Sequence, residues 1–342
     1  MLPFIIALFP ILFAAVFQMK HKENKFHFFT LLPLALLIAL KGESIGADTE
    51  NYNRFFIAMR NGTFDSEPSY ERLELGYKFF LRMLTHISQN PQIQHIAYAL
   101  LFLLFFGLFL KKNAASSARF GILFMGMNLF SFYFTGIRQA LAMMICLLAY
   151  ECIKKKHTIR FFLTAALATL FHKAALFFLL AYPIARMKVK KKRIPLYVIL
   201  FALVMTLHQF LFEFASEFFD IKYGVEETGN GYISVIIMAI ITIFSFLKTK
   251  QLLAQNPNNS YLINLNVVHM SLWVLRLFSR TAERPSMFYT CFTILLVEQL
   301  ILTVKNSKER FWINAATMCF FAALFIYRIN TIGLIPYRFF WQ

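Results

Sequence analysis

Ala97-Tyr98-Ala99-Leu100-Leu101-Phe102-Leu103-Leu104-Phe105-Phe106-Gly107-Leu108-Phe109-Leu110-Lys111-Lys112 is an unbroken apolar run that stops on two lysines. Wound as a helix it has no polar face to turn toward water, so it fits a segment surrounded by lipid, with the lysines at the headgroups. The pattern recurs along the chain. Hydrophobic residues fill 59% of the 342 positions and charged residues only 15%, too apolar for the single core of a water-soluble domain of this size. A span needs about 20 largely apolar residues to cross a hydrocarbon layer of about 30 Å, and about ten stretches come close to that length. The reading is an all-α, polytopic integral membrane helical bundle of about ten spans, running as a single transmembrane domain over residues 1–342. The first stretch lacks a basic leader and a small-residue cleavage site, which suits a retained span.

A formal charge of +18 suits nucleic acid in a soluble protein, yet here the basic residues gather in the short connections between apolar stretches, so no nucleic-acid partner is expected. The clusters are Lys20, Lys22 and Lys25; Lys111, Lys112 and Arg119; Lys154 to Lys156 with Arg160; Arg186, Lys188 and Lys190 to Arg193; Lys248 and Lys250; and Lys305, Lys308 and Arg310. The positive-inside rule places them in the cytoplasm. The opposite face carries charges of both signs, including Asp48, Glu74 and Glu283, and is extracytoplasmic on this reading. Parity then fails once: residues 161–185 have basic clusters on both flanks, and His172-Lys173 divides them into halves too short to span upright. That arrangement predicts a re-entrant helical pair, with one full span as its alternative. Cys146, Cys152, Cys291 and Cys319 show no metal spacing, so neither disulfide nor zinc is expected.

The largest outer loop, residues 42–93, holds two amphipathic stretches suited to the membrane surface, separated by Asn61-Gly62. In the second, Leu73, Tyr77, Phe80, Leu81, Leu84 and Ile87 share an apolar face, while Glu71, Glu74, Lys78 and Arg82 form a charged stripe. A second outer loop, 213 to 231, is acidic and reads as a solvated turn.

Four constellations bear chemistry. Lys41-Gly42-Glu43-Ser44-Ile45-Gly46-Ala47-Asp48-Thr49, with Tyr52 and Arg54, surfaces from a span; Asp48 either caps the next helix or does chemistry, and Arg54 suits an anion. Thr135-Gly136-Ile137-Arg138-Gln139 sets one arginine in a very short outer connection, where snorkelling is the alternative to a site. Arg276, Arg280 and Arg284 advance by four, which on a continuous helix makes one cationic face for phosphate or carboxylate, with Trp273 and His269 deeper on the stripe; a helix break at Pro285 would undo it. His172-Lys173 supplies an imidazole with the pKa range to move protons. No phosphate loop, metal-binding His/Glu pair or serine nucleophile elbow appears, so no metal and no cofactor is expected.

Ile45-Gly46-Ala47-Asp48-Thr49 with Tyr52, Glu74-Leu75-Gly76-Tyr77, Gly136-Ile137-Arg138-Gln139 and Phe171-His172-Lys173-Ala174-Ala175-Leu176, in this order, resemble the EpsG family of exopolysaccharide proteins, which are Wzy-like polymerases. Lys41 stands where that pattern leads one to expect arginine, and no direct role follows for it. The resemblance implies a membrane glycosyltransferase of the bacterial cytoplasmic membrane. It would join oligosaccharide repeat units carried on polyprenyl pyrophosphate, at the outer face, in exopolysaccharide, capsule or O-antigen synthesis. Such transfer needs a base, cations for the leaving pyrophosphate and room for lipid. Asp48 is the first choice of base and His172 the second, with Arg138 as the catalytic cation. Arg54, Arg276, Arg280 and Arg284 are expected to hold substrate anions, Glu74 to orient an acceptor sugar, and Tyr77, Gln139 and Lys173 to complete the binding surface. The implied partners are the lipid-linked oligosaccharide, membrane lipids and a chain-length regulator. Alternatives are a flippase of the same lipid-linked sugar, a noncatalytic assembly subunit and a ligase of finished polymer.

Overall fold

The computed structural model describes residues 1–20, 27–67, 70–189, 194–210, 213, 231–330 and 334–342. Lys22, Lys25, the basic run 190–193 and nearly all of the acidic loop 213–231 lie outside them. In chain order the helices are α1 (Leu2–Lys20), α2 (His27–Ala39), α3 (Thr49–Asn61), α4 (Leu75–Thr85), α5 (Gln92–Asn113), α6 (Ser117–Gly126), α7 (Leu129–Thr135), α8 (Ile137–Lys155) and α9 (Thr158–Thr169). After a 3-10 segment, Lys173–Leu180, come α10 (Ala181–Ala185), α11 (Ile194–Thr206), α12 (Tyr232–Leu247), α13 (Thr249–Gln255), α14 (Asn259–Leu275), α15 (Glu283–Leu302) and α16 (Ser307–Ile329). Among the described residues there is no strand, only an isolated antiparallel bridge between Lys41 and Phe339.

Among the described residues, three stretches, Gln92–Asn113, Arg280–Leu302 and Ser307–Ile329, are long and apolar enough to cross a membrane, and α12 with α13 makes a fourth if that pair, bent by 73°, is one span. These are fewer than the ten suggested by composition, because several apolar stretches are short or broken. The stretch around 120–135 shows why. Asn128 sits in the left-handed region at φ 65° and splits it into α6 and α7. Asparagine tolerates that conformation, and the freed backbone is satisfied from within the protein, as Arg328 Nη1 donates to the Gly126 carbonyl at 2.8 Å.

The residues pack as two units. The first comprises residues 1–151, 163–172 and 314–342. Here α1 lies on α2 and α6, and α2 on α5. Aromatic rings fill the core: Phe102 and Phe106 lie 4.7 Å apart, and Phe106, Phe124 and Tyr133 meet edge to face at 5.2 to 5.4 Å. The outward side of α5 exposes Ile96, Leu100, Leu104 and Leu108 at four-residue intervals, an apolar stripe suited to lipid. Gly62 ends α3 at φ 74°, as Asn61-Gly62 leads one to expect. Helix α4 has three faces. Tyr77, Leu81 and Leu84 are buried, Glu74, Lys78 and Arg82 form the charged stripe, and Leu75, Phe79 and Met83 stay exposed. Ile87 is also exposed, so it leaves the buried face that its spacing suggests.

The second unit comprises residues 152–162 and 173–313. Its α14–α15 pair is joined by a buried polar ladder. His269 Nδ1 meets Thr293 Oγ1 at 2.7 Å, Thr293 Oγ1 donates to Asn266 Oδ1 at 3.0 Å, and Asn266 Nδ2 donates to Thr242 Oγ1 at 2.8 Å. Trp273 Nε1 donates to His269 Nε2 at 3.0 Å. Polar groups face inward here while Ile233, Ile236, Ile240 and Ile243 of α12 are exposed, the distribution a lipid solvent favours. Asn264 Nδ2 donates to the carbonyls of Ala185 (2.9 Å) and Met187 (2.7 Å), satisfying the end of α10.

Within 161–185, α9 ends at Thr169 and the 3-10 segment starts at Lys173, so the break falls at His172-Lys173 as expected. The second half is a 3-10 helix followed by short α10, where an α-helix was expected.

Candidate functional site

The first unit gathers the Gly42–Thr49, Glu74–Tyr77 and Gly136–Gln139 motifs, and the carboxyl-terminal segment helps to hold them. Beyond α2 the chain is clamped: Gly42 N–H donates to Arg338 O at 2.8 Å, Phe340 N–H to Leu40 O at 3.0 Å, and the Tyr337 hydroxyl to Leu37 O at 2.9 Å. The Pro336–Trp341 segment thus straps the end of α2 and the loop that follows it. A Cβ on Gly42 would come 3.1 Å from Phe339 O and 3.2 Å from Arg338 O, so a side chain there would press the strap outward by a few tenths of an ångström. Gly46 follows at φ 88°, and a Cβ there would lie 2.8 Å from Thr135 Cγ2. The loop carrying Asp48 thereby rests against the end of α7.

Lys41 fastens the same contact. It is 1% exposed; its Nζ donates to Thr49 Oγ1 at 2.9 Å and to Phe134 O at 2.5 Å, and lies 5.1 Å from the Phe134 ring centre. Burial pushes its pKa down to about 7, against the opposing pull of Asp48. A lysine just past a span is ordinarily read as a headgroup contact, and only its tertiary partners reveal this one as a cross-link.

Asp48 occupies the position before α3 but makes no side-chain capping bond, and its side chain is exposed. Capping therefore does not explain it. Tyr52, one turn on, is buried beside Tyr77, their rings 5.6 Å apart. Its hydroxyl faces the Arg138 guanidinium. Burial raises the pKa of Tyr52, partly offset by Arg138, and holds that of Tyr77 well above the ordinary phenol value. Both phenols stay protonated at neutral pH; the Tyr77 hydroxyl donates to Gln94 Oε1 at 3.4 Å, and the Tyr52 oxygen accepts from Arg138. Asp48 is the exposed carboxylate of the cluster.

Arg138 opens α8 and turns inward instead of snorkelling. Its Nη1 donates to Glu74 Oε2 at 2.7 Å, with side-chain exposures of 24% and 8% for the two partners. Its buried Nε has no hydrogen-bond partner. Glu74 precedes α4 without capping it. The carboxylate pairs with Arg138 instead, which brings two sequence motifs into one ion pair. Gly76 fixes where α4 starts: its N–H donates to Leu170 O at 2.6 Å, and a Cβ there would lie 2.7 Å from that oxygen. The turn so engaged continues to His172, whose N–H donates to Ala168 O at 3.1 Å. Behind the tyrosines, Gln94 Nε2 donates to Asn53 Oδ1 at 2.9 Å, and His95 Nε2 meets the same oxygen at 3.1 Å. Gln139 is buried next to Arg138.

Of the other expected residues, Arg54 shares this unit but not the cluster's side of α3. Arg54 projects from the side of α3 opposite Tyr52 and pairs with Glu67 at 3.1 Å. Lys173 belongs to the second unit, as do Arg276, Arg280 and Arg284. These three arginines do not share one continuous helix face. Helix α14 ends at Leu275, residues Arg280–Ala282 form a 3-10 turn behind the Ser279 cap, and Arg284 stands in the first turn of α15, one residue before Pro285. Spacing by four aligns side chains only while a helix continues. Arg276 is buried with its Nε 3.2 Å from Glu283 Oε2, whereas Arg280 and Arg284 are exposed.

No curated protein and no solved structure matches the chain. Residues 24–339 match the EpsG family, nearly the whole length, so the chain belongs to that family and is a membrane protein of polysaccharide biosynthesis.

Proposed function

We propose that this protein is a polysaccharide polymerase, joining polyprenyl-pyrophosphate-linked oligosaccharide repeat units at the extracytoplasmic face of the bacterial cytoplasmic membrane. The observation that carries the proposal is the Asp48–Tyr52–Arg138–Glu74 cluster: Tyr52 lies within the electrostatic reach of Asp48, an exposed carboxylate that caps nothing, and its hydroxyl meets a guanidinium that Glu74 holds and whose Nε is buried without a partner. Glycosyl transfer uses both parts. An acceptor hydroxyl oxygen attacks the anomeric carbon of the donor sugar and its proton passes to Asp48; the bond from that carbon to the pyrophosphate oxygen breaks, and the oxygen keeps the electron pair. Arg138 stabilises the charge that grows there, and Tyr52 adds a hydroxyl donor. Glu74 holds the guanidinium in place and, at its edge, orients the acceptor; Tyr77 and Gln139 shape the wall. His172 is the second choice of base. Within the second unit, exposed Arg280 and Arg284 are proposed as anion contacts in their own right, with Lys173 and buried Arg276 supporting.

Positioned acid–base groups contribute about 10²- to 10⁴-fold to rate. Asp48→Asn and Arg138→Ala, at wild-type membrane levels, should cut chain growth by about 10²-fold or more and leave single repeat units on the carrier lipid. Long polymer persisting in both variants would refute the assignment. The 73° bend between α12 and α13 also suits a transporter, whose discontinuous helices flank a substrate path. That reading requires repeat units to accumulate on the cytoplasmic leaflet, so locating the stalled repeat units separates the two.

A further inference from the structure

On the side of α3 away from Tyr52, an open cavity of about 280 Å³ borders the outer loop, walled by Glu50, Arg54, Ile57 and Asn61 of the helix, Glu43 before it and Glu67 after it. The volume falls just below the roughly 300–1,000 Å³ typical of small-molecule sites, enough for one sugar ring and not for a lipid-linked repeat unit. Three carboxylates face one guanidinium, and that guanidinium is engaged: Arg54 Nε pairs with Glu67 Oε2 at 3.1 Å. Among the described residues, Glu43 and Glu50 form no ion pair. A carboxylate accepts hydrogen bonds from vicinal hydroxyls or from an ammonium group, an amide such as that of Asn61 both donates and accepts, and Ile57 offers the apolar surface on which the C–H face of a sugar packs. The same lining repels phosphate, sulfate and uronate, because the excess charge is negative in a chain whose net charge is +18.

We infer that this cavity is a glycan subsite, separate from the Arg138 cluster, that takes a non-anionic sugar of the polymer and favours one bearing a free amine. The inference rests on the polymerase reading for the source of the glycan; its charge selectivity rests on the cavity alone.

The test is binding by full-length protein in lipid nanodiscs, with no donor present, to three tetrasaccharides: β-1,4-linked glucosamine, cellotetraose and tetragalacturonate. The expected order of affinity is amine-bearing, then neutral, then anionic, with at least tenfold between the first and last. Glu43→Gln with Glu50→Gln should reduce that ratio by at least tenfold. Both side chains are exposed, so the thermal unfolding midpoint should hold; Glu50→Asp, which keeps the charge, should retain the selectivity. Failure of all three saccharides to bind, equal or tighter binding of tetragalacturonate, or unchanged selectivity in the double variant would each overturn the subsite. Calcium binding lost in the double variant, with no saccharide bound, would make it a cation site instead. Since chain growth is not the readout, a failed polymerase assay leaves a positive binding result standing, and lost binding with chain growth intact counts against the subsite alone.

Discussion

Replacing Gly76 by alanine probes how the site is held together. A Cβ at this position would stand 2.7 Å from Leu170 O, 2.9 Å from Leu170 C and 3.0 Å from Phe171 Cδ2. The first two are backbone atoms, which cannot rotate aside, so α4 must back away by several tenths of an ångström. Overpacking of this kind costs about 1–3 kcal/mol, and weakening the Gly76 N–H bond to Leu170 O adds about 1 kcal/mol. Alanine returns at most about 1 kcal/mol in helix propensity, and less in the first turn of α4. The net expectation is a loss of about 1–3 kcal/mol. The larger effect is on function, because α4 carries Glu74 at its entry, and moving it by the same amount lengthens the 2.7 Å bond to Arg138. Misplacement by about 1 Å can cost about 10²-fold in rate, so chain growth should fall by about ten- to a hundredfold. Thermal unfolding of purified protein, followed by circular dichroism, reads the first quantity, and polymer length distribution at matched membrane levels reads the second. Gly107→Ala is the control, since a Cβ there meets nothing within 4 Å and should leave stability equal or slightly higher. If Gly76→Ala unfolds no earlier than wild type and makes polymer of full length, Gly76 does not set the position of α4 and the packing argument fails.

Two further expectations follow from neighbouring residues. For Lys41 the folded pKa of about 7 lies below the ordinary value of 10.5, so between those values the unfolded chain binds a proton that the folded chain does not. Stability contributed by this group therefore rises with pH across that window, by about 5 kcal/mol in all, and is lost as pH falls toward 7. Lys41→Met should remove that slope, and equal pH dependence of the unfolding midpoint in the two proteins from pH 7 to 10 would contradict the buried-amine account. Asp48→Ala should change stability by less than about 0.5 kcal/mol, because no capping bond is lost; a drop of about 1 kcal/mol or more would show that the carboxylate serves the helix after all.

Much of the site's raw material can be read along the chain, since glycines, acids and arginines cluster in short motifs where apolar stretches end. Its assembly cannot. Glu74 and Arg138 are separated by 64 positions and meet in the fold where α4, seated by Gly76 against Leu170, comes to the start of α8. Lys41 reads as a headgroup contact until Thr49 and Phe134 are seen to accept its hydrogen bonds. The arginine series misleads in the opposite sense: a spacing of four is a helical signal, yet the helix stops at Leu275, and only the fold shows Ser279 capping a new turn.

Short-range pattern along the chain fixes the solvent and the local periodicity. Apolar runs ended by lysines require lipid, and the three-faced pattern of α4 and the Asn61-Gly62 stop of α3 follow from residues within a few turns of one another. Tertiary structure alone decided which charges meet, which helices break and what the carboxyl-terminal strap holds. The physical reason is range. Side-chain periodicity and capping act over a few residues, whereas the partner of a buried charge is chosen by packing between segments far apart in the chain, where the cost of leaving that charge unpaired outweighs any local preference.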